Sequence, residues 1–403
     1  MFISKRVASL TESVTLKLNT MANQLATDGK EIFNLTAGQL PESPPDDFIE
    51  NIRDSISDIK SFQYSPVAGF PELGKKIMDY IATTRNISFD GEYGCLIGNG
   101  GKHVLTNILA CLIDENEEVI LMKPYWISYP QMIRMFSGKP VEVNPEKEGG
   151  FIPSVADIER KITDKTRAIV VNSPSNPAGI CYSDEWMKSF GELMKKHPEL
   201  MIISDEIYFE LAYREKTPKY FYQFYPELLK RTAIVHGISK SLASTGLRIG
   251  WCVAQKELIK NMAKLQGQTS SGSNSLIQKA LSRYDFFQMK NFLAPMMEQL
   301  KTNSEILKKA LAEASLERAW YETDSAFYFM LDFSKLPVME RFCTNKKDDV
   351  DYSFEICEQL IEKTGVVIVP GTDFGLKNFA RISMVLKPDR FALAIEKLIN
   401  FIK

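Results

Sequence analysis

The feature that most constrains this chain is a regular alternation between residues 93 and 254. Short apolar or β-branched runs at 93–97, 119–122, 168–171, 201–203, 233–235 and 249–254 are separated by longer amphipathic segments. Runs of that length are too short for buried helices, whereas each intervening segment is long enough for one. A chain that repeats strand and helix in this way builds a mainly parallel sheet covered by helices, an α/β layer structure. Nearly every run also ends on polar or glycine-rich residues: Gly98-Asn99-Gly100-Gly101-Lys102, Pro124-Tyr125-Trp126, Asn172-Ser173-Pro174, Ser204-Asp205-Glu206 and Ser239-Lys240. Open α/β sheets bind ligands outside the carboxyl ends of their strands. Solvation alone explains such clusters poorly when they recur at one strand end after another.

The flanks follow other patterns, and 403 residues exceed one ordinary core. An N-terminal arm without a core of its own leads into a helix with the stripe Val14, Leu18, Met21 and Leu25, closed by Asp28-Gly29. A short strand at 32–35 runs into Thr36-Ala37-Gly38. After the Pro-rich bend at 41–45 a helix is expected to about Ile59, then a loop at 62–71. Pro71 opens a helix carrying Leu73, Ile77 and Ile81. Beyond Arg283 the periodicity predicts a long helix over 291–316, interrupted near Pro295. A strand at 326–331, a polar insertion at 335–351, a helix at 354–363, strands at 366–369 and 380–383 and a final helix through Ile402 complete the chain. The expected units are residues 1–45 (arm and part of a small domain), 46–290 (large domain) and 291–403 (interdomain helix and small α+β domain).

Composition removes several classes of function. A net charge of -2 supplies no field for nucleic acid or an anionic membrane surface. No apolar run approaches the ~18 residues that cross a bilayer, and residues 1–10 lack the apolar core of a signal peptide. The six cysteines are scattered, without CxxC or Cys/His ligand spacing, which fits reduced thiols in a cytoplasmic chain. With three histidines (His103, His197 and His236), a histidine-based metal site is not expected.

The stretch 236–251, HGISKSLASTGLRIGW, sets Lys240 among Ser239, Ser241, Ser244, Thr245 and Gly246, with Arg248 eight residues on. Burying an ammonium is costly. A lysine at the mouth of a pocket therefore acquires a lowered pKa and an amine able to attack a carbonyl. The competing reading is a surface lysine on a serine-rich loop. Asp205-Glu206 reads either as chemistry at a strand end or as the acidic first turn of a helix. Gly100-Gly101, ahead of the apolar stripe Val104, Leu105, Ile108 and Leu112, is either a plain turn or a cradle of backbone amides for a phosphate. Trp126 is open to a core role, and Asn176-Pro177 to a simple turn.

Taken together, FNLTAG (33–38), YSPVAG (64–69), GGK (100–102), PYWISYP (124–130), NSPSNPAG (172–179), SDEIY (204–208), SKSLASTGLRIG (239–250) and FARIS (379–383) resemble the class I, fold-type I aminotransferases that use pyridoxal 5′-phosphate. The likeness is closest to the bacterial aspartate aminotransferase branch and covers almost the whole chain outside 335–351. It implies a large cofactor-binding domain with a mainly parallel, seven-stranded-type sheet between helices, plus a smaller α+β domain. By the resemblance, Lys240 bonds the cofactor covalently and moves the substrate's proton. Asp205 faces the pyridine nitrogen, while Tyr208 and Asn176 share the ring oxygen. Gly100, Gly101, Lys102, Ser239 and Arg248 surround the phosphate, and Tyr64 reaches it from the other subunit of a homodimer. Trp126 stacks on the ring. Arg381 forks onto the substrate α-carboxylate, with Gly38, Trp126 and Asn176 close by.

The implied reaction moves an amino group between an L-amino acid, aspartate first, and a 2-oxo acid, 2-oxoglutarate first. Transfer from aromatic or neutral amino acids, and elimination on the same cofactor, are the alternatives. Regulators that join such a domain to a DNA-binding module are not expected, since no basic helix-turn-helix precedes the arm. Three departures stand out. A phosphate-binding serine common three residues before the lysine is Gly237 here, with Ser239 placed to take over part of its role. The usual acidic residue after Gly38 is Gln39. Thr11 stands where some members of the aspartate branch carry a lysine for the distal carboxylate, and Lys17 and Arg283 are the cations offered in its place.

Overall fold

The computed structural model describes residues 3–8, 10, 14–146, 150–213, 217–342 and 350–403. Its strands are β1 (Phe33–Asn34), β2 (Tyr93–Gly98), β3 (Glu118–Met122), β4 (Lys139–Val143), β5 (Thr166–Asn172), β6 (Met201–Asp205), β7 (Thr232–Gly237), β8 (Gly250–Gln255), β9 (Tyr328–Asp332), β10 (Val366–Val367), β11 (Val369–Pro370) and β12 (Phe379–Ser383). The large sheet has seven strands in the order β2-β8-β7-β6-β5-β3-β4. All neighbouring pairs are parallel except those made by β8, which runs antiparallel to both β2 and β7. The chain therefore turns back at the carboxyl end of β7, and the turn between β7 and β8 carries Lys240.

Successive residues of the apolar runs face opposite sides of this sheet, as the pleat requires. Ile97, Ile120, Val171, Ile202 and Ile234 join a core covered by the helices Pro71–Arg85, Asp184–Lys195 and Ser275–Arg283. Leu96, Val119, Val170, Ile203 and Val235 join a second core under Gly101–Leu112 and Lys256–Thr269. Burial on both faces is why these strands read as continuous apolar runs. The strand without such a run, β4, is an edge strand of sequence KPVEV, half-exposed and paired only with β3. An edge tolerates Pro140 and a polar face, so periodicity there gives no signal.

A third core joins Leu18, Phe33 and Leu35 to the helices Met289–Glu313, Ser353–Thr364 and Pro388–Ile402. Four details differ from expectation. The helix after Pro45 stops at Ser55, and Asp58 then caps a separate turn at Ile59–Phe62. Met289–Glu313 runs unbroken through Pro295, because Leu293, Met296, Met297 and Leu300 are all buried around it. That burial outweighs the ~3 kcal/mol that a helical proline costs. The segment 366–369 is divided: Val366-Val367 pairs in parallel with β1, whereas Val369-Pro370 pairs antiparallel with β12. The polar insertion at 335–351 includes the helix Val338–Phe342, with Val338 buried, and its residues 343–349 lie outside the described ones.

Beneath the carboxyl end of β6 lies a buried polar layer. Arg85, fully enclosed, pairs with Glu206 at 3.0 Å, and Glu206 also accepts hydrogen bonds from Tyr222 at 2.6 Å and Ser204 at 2.9 Å. Glu210 accepts from Tyr80 at 2.6 Å and meets His236 Nε2 at 2.9 Å. On the other side of the ring the Gly237 amide donates to His236 Nδ1.

Candidate active site

The carboxyl ends of β2, β3, β5, β6 and β7 open into one cavity of about 780 Å³. Its opposite wall comes from elsewhere in the chain: Thr36, Ala37 and Gly38 after β1, Tyr328 at the start of β9, Asp373 and Phe374, and Arg381 in β12. Among the sequence-predicted residues, Gly38, Gly101, Lys102, Trp126, Asn176, Asp205, Tyr208, Ser239, Lys240, Arg248 and Arg381 all line it.

Lys240 lies in the short helix Ile238–Ser241 that follows β7 directly. Its half-buried Nζ donates to the Gly38 carbonyl oxygen. Burial, then the like charges of Arg381 and Arg248, lower its pKa to about 8, with Asp205 pulling in the opposite direction. The serine-rich stretch is therefore the rim of a site.

Asp205, the last residue of β6, is 4% exposed. Its Oδ2 accepts the Tyr129 hydroxyl at 2.5 Å, and its Oδ1 accepts the Ile207 amide at 3.2 Å. The Asn172 side chain donates to the Asp205 carbonyl oxygen at 3.0 Å. Burial raises the pKa of Asp205, opposed by Tyr129, the Ile207 amide and His236 and reinforced by Glu206. The acidic-helix-start reading fails, since this carboxylate is neither solvated nor in a helix.

Arg381 crosses the cavity. One terminal nitrogen donates to Asn176 Oδ1 at 3.0 Å and the other to the Thr36 carbonyl at 3.0 Å. Its guanidinium lies 4.2 Å from the Tyr328 ring centroid and 5.0 Å from that of Phe374. Its buried Nε has no hydrogen-bond partner. Tyr208 meets the Tyr328 hydroxyl at 3.2 Å, and the Asn176 amide lies 3.5 Å from the Tyr208 hydroxyl.

On the far side Gly100, at φ +90°, opens the helix Gly101–Leu112. A Cβ on Gly100 would stand 2.6 Å from an Arg248 nitrogen, and one on Gly250 would stand 2.4 Å from the Gly101 amide. Bare backbone is thus required where the guanidinium meets the helix N-terminus. Arg248 itself sits at φ 56°, a left-handed conformation that side chains rarely adopt and that clusters at functional sites. The departure at Gly237 has the same cause, because its Cβ would fall 2.8 Å from Gly250 Cα. Ser239, buried, lines the cavity instead.

Tyr64 lies outside the cavity and is 92% exposed. Thr11 lies outside the described residues. Of the two cations offered in its place, Lys17 is exposed and does not line this chain's cavity, and Arg283 lies 4.0 Å from Asp54. Sequence reasoning missed Tyr129 and Tyr328 as site residues. Tyr129 was within reach as the second tyrosine of PYWISYP, but an aromatic on the buried side of a helix carries no mark of function. Tyr328 sits in an apolar strand that reads as core.

The donor set fits the cofactor that the sequence resemblance implies. A helix N-terminus with an arginine suits a phosphate dianion, a buried carboxylate suits a protonated ring nitrogen, and a lysine of lowered pKa suits an aldehyde. The volume falls in the range of ~300–1,000 Å³ usual for small-molecule sites.

The family model described as aminotransferase class I and II matches residues 30–398. The aspartate aminotransferase of Bacillus subtilis (strain 168) is 32% identical over 407 residues, spanning 100% of this chain and 99% of the relative. The aspartate/prephenate aminotransferase of Thermus thermophilus is 31% identical over 401 residues, spanning 98% of this chain and 97% of the relative. The solved structure of aspartate aminotransferase from Thermus thermophilus with maleate superposes with a TM-score of 0.87 at 30% identity, covering 100% of both chains.

A pH dependence follows from Lys240. Its ammonium gives up its proton more easily than an ordinary lysine, so below about 8 the amine is protonated and above it free to react. In the cofactor-free protein, reductive methylation by formaldehyde, quantified at Lys240 by peptide mass, should level off above this inflection. A rate still climbing toward the ~10.4 of an unperturbed lysine would contradict the environment described.

Proposed function

The chain belongs to the class I and II aminotransferase family and is a transaminase; from that premise we propose that it works with pyridoxal 5′-phosphate on L-aspartate and 2-oxoglutarate, as a cytoplasmic homodimer. The observation that carries this reading is the single cavity in which Lys240 from the turn after β7, Asp205 from β6 and Arg381 from β12 face one another. When bound, the cofactor supplies an electron sink for the charge left at the substrate's Cα.

The chain's own residues do the rest. Arg248 and the amides at Gly100 and Gly101 hold the phosphate, with Lys102 and Ser239 beside them. Trp126 covers a ring face, and Tyr208 and Asn176 offer polar groups to the ring oxygen. Asp205 keeps a negative charge against the ring nitrogen and so holds its proton. Arg381, steadied by Asn176 and Thr36, orients the α-carboxylate, and its unpartnered Nε is a donor for that anion. Lys240 Nζ takes and returns the proton at Cα, which a group with a pKa near the working pH does well. The units 1–45, 46–290 and 291–403 are the corresponding arm, large domain and small domain.

Aspartate is supported by the names of the relatives and by the binding of maleate, a dicarboxylate, to one of them. Besides Lys240, Arg248 and Arg381, Lys102 is the remaining basic side chain among the described cavity residues, and it is the cation left to meet a second carboxylate. A shared dimeric site is supported by the exposed apolar strip of Ile59, Phe62 and Tyr64, at 69%, 65% and 92% exposure, which a second copy would cover.

The protein loaded with pyridoxal phosphate should convert L-aspartate and 2-oxoglutarate to stoichiometric oxaloacetate and glutamate. Lys240→Ala should lose roughly 10³-fold or more in rate. Release of ammonia in place of glutamate would point to elimination, and a fully active Lys240→Ala protein would overturn the assignment.

Lys102→Ala should lower kcat/KM for aspartate about ten- to hundredfold, the value of a charged hydrogen bond, and leave phenylalanine within about threefold. Equal losses for both donors in steady-state kinetics would assign Lys102 to the cofactor alone. Mixing Tyr64→Ala chains with Lys240→Ala chains should regenerate activity on subunit exchange. Inactive hybrids, formed from two inactive parents, would remove the shared-site reading.

A further inference from the structure

Tyr129 lies on the helix Ser128–Met135 and is 2% exposed, with its hydroxyl 2.5 Å from Asp205 Oδ2. We propose that Tyr129 is a positioning residue for Asp205: its hydroxyl proton occupies one carboxylate oxygen and fixes the negative charge of the acid for the ring nitrogen of the cofactor. The inference rests on the function proposed above and extends it to a residue outside the assigned set.

The geometry allows one direction of donation. A carboxylate oxygen that is ionised can only accept, so the phenol is the donor. The Tyr129 ring is held edge-on against Trp126, with centroids 5.4 Å apart, and its backbone amide donates to the Trp126 carbonyl at 3.0 Å. Its aim is therefore set by the same loop that delivers Trp126 to the cavity.

The groups facing Asp205 come from every neighbouring element. Tyr129 and the Ile207 amide donate to its two oxygens. His236 in β7 favours the anion, and Glu206, next in the chain, disfavours it. Asn172 in β5 holds the backbone carbonyl, and the Lys240 amine senses the charge from across the cavity. Burial alone would push the carboxyl toward its neutral form, and Tyr129 is first among the groups that oppose it. Burial and the adjacent carboxylate hold the Tyr129 phenol well above its usual range. The phenol therefore keeps its proton and stays a donor to Asp205 Oδ2.

Removing the hydroxyl would leave Oδ2 facing an aromatic edge, with no partner for an anionic lone pair. The proton affinity of Asp205 would rise, and the proton it shares with the ring nitrogen would move toward the carboxylate. The expected change in that partition is about tenfold or more.

The test loads ¹⁵N-labelled pyridoxal phosphate into the wild type, Tyr129→Phe and a protein carrying 3-fluorotyrosine at position 129. The ring-nitrogen chemical shift should move toward the unprotonated value in Tyr129→Phe and the opposite way with the stronger fluorinated donor. In Tyr129→Phe, kcat should fall about tenfold while KM for aspartate stays within about twofold, since charge stabilisation and not binding is lost. Folded, loaded Tyr129→Phe with a wild-type nitrogen shift overturns the proposal. If Tyr129→Phe does not fold, an unchanged shift in the fluorotyrosine protein overturns it. A wild type that takes up no pyridoxal phosphate would instead sink the function on which the proposal rests, so the two failures are distinct.

Discussion

The structure depends on keeping one negative charge dry. Asp205 sits at the carboxyl end of β6, between β5 and β7 in the large sheet. A carboxylate in that position is costly unless donors surround it. The Tyr129 hydroxyl and the Ile207 amide meet its two oxygens. Behind it, Arg85 answers Glu206, and His236 answers Glu210. This second polar layer is fully enclosed, so the charges near the site are compensated by protein groups and not by water. Enclosure makes their positions rigid, and rigid charges act on a bound group without having to reorganise.

The opposite wall of the cavity is delivered by a different part of the fold. Arg381 stands in β12, paired to Met330 of β9 in the three-stranded sheet. It reaches across to Asn176, while Lys240 reaches across to Gly38 and Tyr208 meets Tyr328. Each of these contacts joins the large sheet's strand ends to the smaller sheet or to the segment that follows β1. The grip on a substrate carboxylate and the amine that moves its proton are thus on separate supports. Catalysis requires both at once, so the contacts between the supports belong to the chemistry as much as to the fold.

The sequence brought out Lys240 and Asp205 because each closely follows an apolar run that reads as a buried strand, and Asn176 and Arg248 through the motifs that carry the family resemblance. The buried aromatics of the site were not visible. Tyr129 and Tyr328 occupy buried positions that any large apolar residue could fill, and only the distance from hydroxyl to partner separates them from core. The edge strand β4 escaped for the opposite reason, since half-exposed residues and a proline give no periodic signal. Pro295 and the divided segment at 366–369 show tertiary packing overriding local preference. Gly237 looked like a missing ligand; the space at Gly250 shows that no side chain fits there.

The most direct test of the account is chemical trapping of the cofactor on the protein. Borohydride reduction of the loaded protein should fix pyridoxal phosphate irreversibly to a single tryptic peptide, the one containing Lys240. Label on Lys102 or any other lysine, or a loaded protein that yields no trapped peptide, would contradict the central claim that the turn after β7 holds the reacting amine.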